Sequence, residues 1–132
     1  WEVIEKAGAY WINIRTDSRR VRVGGFFGGC SGNNVWRYMD SNRTIPANRW
    51  VHVASSYDGA TLRLYVNGTL DRTLAVSGRT CANTMPLIIG AKFRPDTREL
   101  EALFDGRIDD LRVYDRALSA AQIRAVKGAS LE

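Results

Sequence analysis

The chain of 132 residues has one histidine, His52, two cysteines, three prolines and only three lysines, Lys6, Lys92 and Lys127. Each shortage removes a class of function. With a single histidine and no C-x-x-C spacing around Cys30 or Cys81, a zinc site lacks a ligand set. A Ser-His-Asp or Cys-His arrangement would have to be built on His52, and no nucleophile stands out beside it in the sequence. No apolar run approaches the roughly 20 residues of a membrane-spanning helix, so membrane insertion is not expected. The chain opens at Trp1 without a basic stretch leading into an apolar region, as a mature or excised piece would. The glycines from Gly24 to Gly32 lack the Gly-Lys-Ser/Thr ending of a phosphate cradle, which leaves nucleotide binding unsupported. Paired carboxylates in a Glu-x-Asp-x-x-Glu pattern, the arrangement of some polysaccharide-cleaving sandwiches, are also missing.

What remains is an ordinary folded composition. A hydrophobic share of 45% and a charged share of 25% fit one globular core rather than a disordered or fibrous chain. The formal charge of +5 comes almost wholly from arginine. Arginine's planar fork suits carboxylate, sulfate and phosphate, so an acidic glycan or nucleic acid is permitted as a partner. The simpler reading is a solvated sheet face, because arginines alternate with apolar residues in Arg19-Arg20-Val21-Arg22-Val23, and no nucleic-acid partner is expected. Cys30 and Cys81 are expected to form a disulfide if the protein is exported and to be free thiols if it is not.

Periodicity of two runs through most of the chain. Tyr10, Ile12 and Ile14 alternate with Trp11, Asn13 and Arg15, and Leu62, Leu64 and Val66 alternate with Arg63 and Tyr65. Asp58-Gly59 joins a strand over Trp50–Tyr57 to one over Thr61–Val66, and Asn67-Gly68 turns that strand into another over Thr69–Val76. Further strands are expected at Trp36–Met39, Leu87–Gly90 and Phe104–Tyr114. The glycine-rich stretch Gly24–Asn34 reads as the least structured segment and a candidate binding loop, or as tolerated loop variation. One short helix is expected near the end, where Ser119 and Gln122 form a capping box, Ile123 and Val126 supply an apolar stripe, and Gly128 stops it. The pattern predicts an all-β, two-sheet antiparallel sandwich with a C-terminal helix, in one domain over 1–130.

Two runs carry a family resemblance. Trp50-Val51-His52-Val53-Ala54, Tyr57-Asp58-Gly59 and Leu62-Arg63-Leu64-Tyr65-Val66-Asn67-Gly68 resemble the centre of laminin-G-like, concanavalin-A-like jelly-roll domains. Leu87-Ile88-Ile89-Gly90 and Phe104-Asp105-Gly106-Arg107-Ile108-Asp109-Asp110-Leu111-Arg112-Val113-Tyr114 are similar to the segment that closes them. The resemblance implies a jelly roll used as an accessory module of secreted or cell-surface proteins, one that binds glycans or proteins. It also implies packing roles for His52 and Trp50, and a rim calcium for which Asp109 or Asp110 would supply carboxylate; their alternative role is pairing with Arg107 or Arg112. Such domains begin with more residues than precede Tyr10 here, so a leading strand is expected to be lacking. The uncovered edge would then invite self-association or a partner strand.

For a ligand surface, Trp36, Arg37 and Tyr38 beside Asn33 and Asn34 form the best local cluster, with Trp11 near solvent and Arg20 and Arg22 placed to read an acidic sugar. The competing role for these aromatics is core packing. Asp105, Asp109, Asp110 and Asp115 are the strand-compatible acids, and the adjacent Asp109 and Asp110 would face opposite sheet surfaces. The expected function is non-catalytic, lectin-like carbohydrate recognition. The alternative is a protein-interaction or structural module that self-associates through an open edge, with a polysaccharide-cleaving enzyme as a distant third.

Overall fold

A computed structural model of the chain describes residues 1–30 and 35–129. Among these described residues ten strands and one helix follow in order: β1 (Glu2–Lys6), β2 (Tyr10–Ile14), β3 (Arg20–Phe27), β4 (Val35–Thr44), β5 (Val53–Tyr57), β6 (Thr61–Val66), β7 (Thr69–Ala75), β8 (Leu87–Ile89), β9 (Lys92–Phe93), β10 (Leu100–Glu101) and α1 (Ala120–Gly128). One antiparallel sheet runs β4-β3-β2-β1-β8, a second runs β5-β6-β7, and β9-β10 is a short ribbon. The expected sandwich is therefore present, with its core between the two sheets. Ile14, Val21, Val23, Phe27 and Met39 of the larger sheet meet Leu62 and Leu64 of the smaller.

Local chemistry explains the corners. Asn67 and Gly68 both have positive φ, 52° and 78°, the backbone of a two-residue hairpin turn. At the other corner the Asp58 carboxylate accepts the N–H groups of Ala60 and Thr61, at 2.9 and 2.8 Å, and caps the start of β6. Between Arg20 and Arg22 the β3–β4 register shifts, and the buried Ser41 hydroxyl accepts the Val21 N–H at 3.0 Å in place of a ladder bond. In α1 the Ser119–Gln122 capping box closes in both directions, and Ile123 is the residue it buries. Gly128 is the last helical residue and Ala129 the cap, one position beyond the expected stop.

Four expectations change. The stretch before Tyr10 contains a strand: β1 lies between β2 and β8, with Ile4 opposite both Ile12 and Ile89. Gly24–Phe27 belongs to β3 rather than to a loop; Asn33 and Asn34 lie outside the described residues. The strand expected at Trp50 starts only at Val53, and Trp50 is 56% exposed rather than packed. Phe104–Tyr114 forms no strand among the described residues. Its apolar residues alternate as a strand's would, but a strand needs a laddered neighbour, and an open furrow runs along it instead.

Cys30 and Cys81 are joined in a disulfide across 51 positions, beside a Phe27–Thr80 bridge and the N–H groups of Gly28 and Gly29 on the Arg79 carbonyl. The bond clamps the end of β3 to the loop before β8. Closing a loop of this length restricts the unfolded chain by about 4 kcal/mol on the chain-entropy estimate, and measured effects tend to be smaller. Reduction, or a Cys30→Ser, Cys81→Ser double variant, is expected to lower unfolding stability by about 2–4 kcal/mol in a urea titration; an unchanged midpoint and slope would show that the clamp adds nothing.

Candidate functional site

The inner face of β2, β3 and β4 is dry, and the outer face follows from it by alternation. Val23 pairs with Ile12 and Met39 and is fully buried, so Trp11, Gly24 and Tyr38, one step along each strand, point outward together. There an aromatic stripe forms. Trp11 stacks on Trp36 with centroids 5.9 Å apart, Trp36 meets Tyr38 at 4.7 Å, and Phe26 closes edge-on to Trp11 at 6.0 Å. Trp36 is 52% exposed and Tyr38 39%, so the stripe is open to solvent rather than part of the core.

Gly24 is what lets the stripe lie flat. A Cβ at this position would come within 2.4 Å of Trp11 Cζ2 and 2.7 Å of the Arg37 carbonyl oxygen. Any side chain here would push the Trp11 ring off the strand. The glycines that resemble a loop in sequence are thus strand residues over which an aromatic ring passes.

At one end the stripe becomes cationic. The Arg22 guanidinium lies 4.1 Å above the Tyr38 ring and donates to both Asp40 oxygens, at 2.6 and 3.0 Å. These bonds hold the Asp40 carboxyl below its usual range and raise Arg22. Arg15 reaches Asp40 at 3.5 Å and also pairs with Asp17. Arg20 is exposed beside this group, and its charge also acts on Asp40. Of the expected ligand residues, Trp36, Tyr38, Arg20 and Arg22 therefore share one face. Arg37 does not: it pairs with Gly25, one step out of phase with Trp36 and Tyr38, and belongs to the opposite side of the sheet. Phe26 joins the site unannounced, and its alternation with the buried Phe27 was the available signal.

Over β1 the outer face is acidic but covered. Glu2 and Glu5 are buried, and Glu5 accepts the Phe93 N–H of the β9-β10 ribbon at 3.0 Å. Burial, then the nearby Glu5 charge, pushes the Glu2 carboxyl up to about 7, against the opposing pull of Asn13, Lys92 and the N-terminal ammonium. Burial raises Glu5 as well.

The second feature is a furrow of roughly 1360 Å³ between the sheets. The free edge of β5 borders one side and the unpaired segment after Phe104 the other. Leu111, Val113 and Tyr114 of that segment stay exposed. His52 sits here outside any strand, its Nδ1 buried without a hydrogen-bond partner among the described residues, so it is not the satisfied packing histidine that the sequence suggested. Burial lowers its pKa. Asp110 has positive φ and is gripped by Arg112 through two bonds of 2.8 and 3.1 Å, while Asp109 accepts the Asp110 N–H. A calcium ion at Asp110 would have to displace Arg112, and among the described residues no cluster of three or more acidic, histidine or cysteine side chains gathers that could hold a metal.

Two packed antiparallel sheets with an aromatic, arginine-flanked outer face define a β-sandwich with a candidate recognition surface. Residues 3–124 match the Laminin_G_3 model of the concanavalin A-like lectin/glucanases superfamily, and the chain belongs to that family. Among solved structures it is similar to an S-layer domain-containing protein (residues 221-444) from Clostridium thermocellum ATCC 27405, at 18% identity and a TM-score of 0.54. The match covers 93% of this chain and 65% of that one, so the chain spans under two thirds of its neighbour. At that identity the likeness shows the fold. No curated protein matches the chain.

The raised Glu2 pKa has a definite sign. Its folded value lies above the ordinary 4.5, so its contribution to stability is complete below about pH 4.5 and is lost as pH rises through about 7. Between pH 5 and 8 the contribution of Glu2 to stability is expected to fall by roughly 1–2 kcal/mol, after allowing for partial solvent screening. Glu2→Gln should flatten most of that slope in urea titrations run across the range, and a wild-type slope retained in the variant would refute the assignment.

Proposed function

We propose that this domain is a non-catalytic carbohydrate-recognition module of a secreted or cell-surface protein. The observation that carries the reading is the exposed Trp11–Trp36–Tyr38 stripe on the outer sheet. A sugar's apolar C–H face stacks on such rings, and neighbouring polar groups fix its hydroxyls. Strand-borne aromatics braced by Arg22 and Asp40 lose little freedom on binding, which favours affinity from a small contact. Membership of a superfamily that includes lectins supports the same reading, as does a disulfide, which persists in oxidising compartments. The likeness to an S-layer domain-containing protein is in keeping with a surface location. The acids of the closing segment are engaged locally, Asp110 by Arg112 and Asp109 by a backbone N–H, which speaks against a catalytic pair there.

A second reading rests on the furrow. The β5 edge offers unpaired backbone groups opposite a segment that is itself unladdered, the setting for β-strand addition by another chain or a second copy.

Two measurements separate the readings. Calorimetry against plant, algal and animal glycans should find a ligand whose binding falls at least about tenfold in Trp36→Ala, while urea stability changes by less than about 1 kcal/mol, as for an exposed side chain. Silence across all these glycans would sink the carbohydrate reading. Light scattering at high concentration should show self-association under the edge reading, and a clean monomer would count against a second copy in the furrow.

A further inference from the structure

We infer that the ligand of the aromatic face is an anionic glycan, one that carries carboxylate or sulfate groups; this rests on the carbohydrate reading above. The stripe is not chemically uniform. It begins with bare rings at Trp36 and Trp11, passes through Tyr38 under the Arg22 guanidinium, and ends in a cationic rim at Arg20. From Gly24, beneath Trp11, to Arg20 is four residues of strand, about 13 Å at the ordinary rise. An oligosaccharide lying along β3 would meet rings first and positive charge next.

The rim has cations to spare. Five guanidinium groups, of Arg15, Arg20, Arg22, Arg43 and Arg72, stand around three carboxylates, of Asp17, Asp40 and Asp71. The carboxylates are already engaged: Asp17 by Arg15, Asp40 by Arg22 and Arg15, and Asp71 by Arg43 at 3.4 Å. Arg72 gives its N–H to the neutral Asp40 carbonyl oxygen at 3.0 Å, and Arg20 makes no ion pair among the described residues. Two positive charges are therefore left over on an exposed edge, in groups whose fork matches carboxylate or sulfate.

The other border does not cancel this surplus. Glu2 and Glu5 share the outer face, but they are buried beneath the Lys92–Glu101 ribbon, and Glu101 is itself paired with Arg94 at 2.7 Å. An anion approaching the rings meets exposed guanidinium groups at one side and covered acids at the other. A neutral sugar would use the rings and leave the cations idle, whereas an acidic one engages both.

Calorimetry on the intact domain with matched probes tests this: tetragalacturonate against its fully methyl-esterified counterpart, and a heparin tetrasaccharide against its desulfated form. In at least one pair the anionic member should bind about tenfold or more tighter at low salt and weaken as salt is added. Arg20→Gln should bring the anionic member to the affinity of the neutral one, and Trp36→Ala should remove binding of both. Equal affinity within both pairs, or neutral glycans bound while the acids are not, would overturn the anionic class and leave carbohydrate recognition standing. Absence of binding to these probes and to the neutral glycans would overturn both. Acid binding that survives Trp36→Ala would mark simple ion exchange and refute the inference. Tighter binding of a single-stranded oligonucleotide than of any acidic glycan would also refute it, since bases stack on aromatics and phosphates pair with arginines in the same way.

Discussion

The register of β3 between β2 and β4 is the constraint on which the rest depends. Val21 and Val23 are fully shielded from solvent between the two sheets, and a slip of one residue would put Arg22 and Gly24 into that core. Burying a guanidinium there costs far more than any outer-face contact returns, so the core alone decides which side chains face outward. The aromatic stripe is a consequence. Trp11, Trp36 and Tyr38 are neighbours because Ile12, Val23 and Met39 are. Ser41 keeps that alignment through the irregularity in β4 by supplying the acceptor that the ladder lacks.

The two sheets are finished differently. The larger has five strands, and the Lys92–Glu101 ribbon covers its outer face over β1, which lies between β2 and β8. The smaller has three strands, and its β5 edge opens onto the furrow. Exposed Trp50, Leu111 and Val113 and His52, whose Nδ1 has no partner among the described residues, all border that furrow. One gap in the ladder accounts for these departures together. It removes the neighbour that would make Phe104–Tyr114 a strand, the cover that would bury Trp50, and the packing that would seat His52.

This explains what could and could not be read from the residues. The Asp-Gly and Asn-Gly corners and the Ser119–Gln122 box depend on contacts a few positions apart, and each appears in the structure as expected; alternation is met where a strand finds a laddered neighbour. The strand at Phe104–Tyr114 and the burial of Trp50 depend on a distant neighbour, which no local pattern encodes. Gly24 and Gly25 misled in the opposite direction. Glycine ordinarily marks loops, yet here it answers two close approaches: the Trp11 ring on the outer face, and the Ala9 carbonyl and Phe27 ring on the inner. For the candidate face, the shared outward placement of Trp36, Tyr38, Arg20 and Arg22 was legible because they share a parity on paired strands, whereas Arg37, adjacent in sequence, falls on the opposite side of the sheet.

The same parity decides how the outer face can work. Arg22 has two roles: it covers the Tyr38 ring and it closes a two-bond fork on Asp40. An arginine bound on both sides is rigid, and its charge is largely offset, so it orients the ring more than it attracts a ligand. Arg20, two residues earlier on the same strand face, has neither restraint among the described residues. If the face binds an anionic glycan as proposed, attraction and positioning would be divided between two arginines of one strand, a division set by backbone register rather than by any mobile loop.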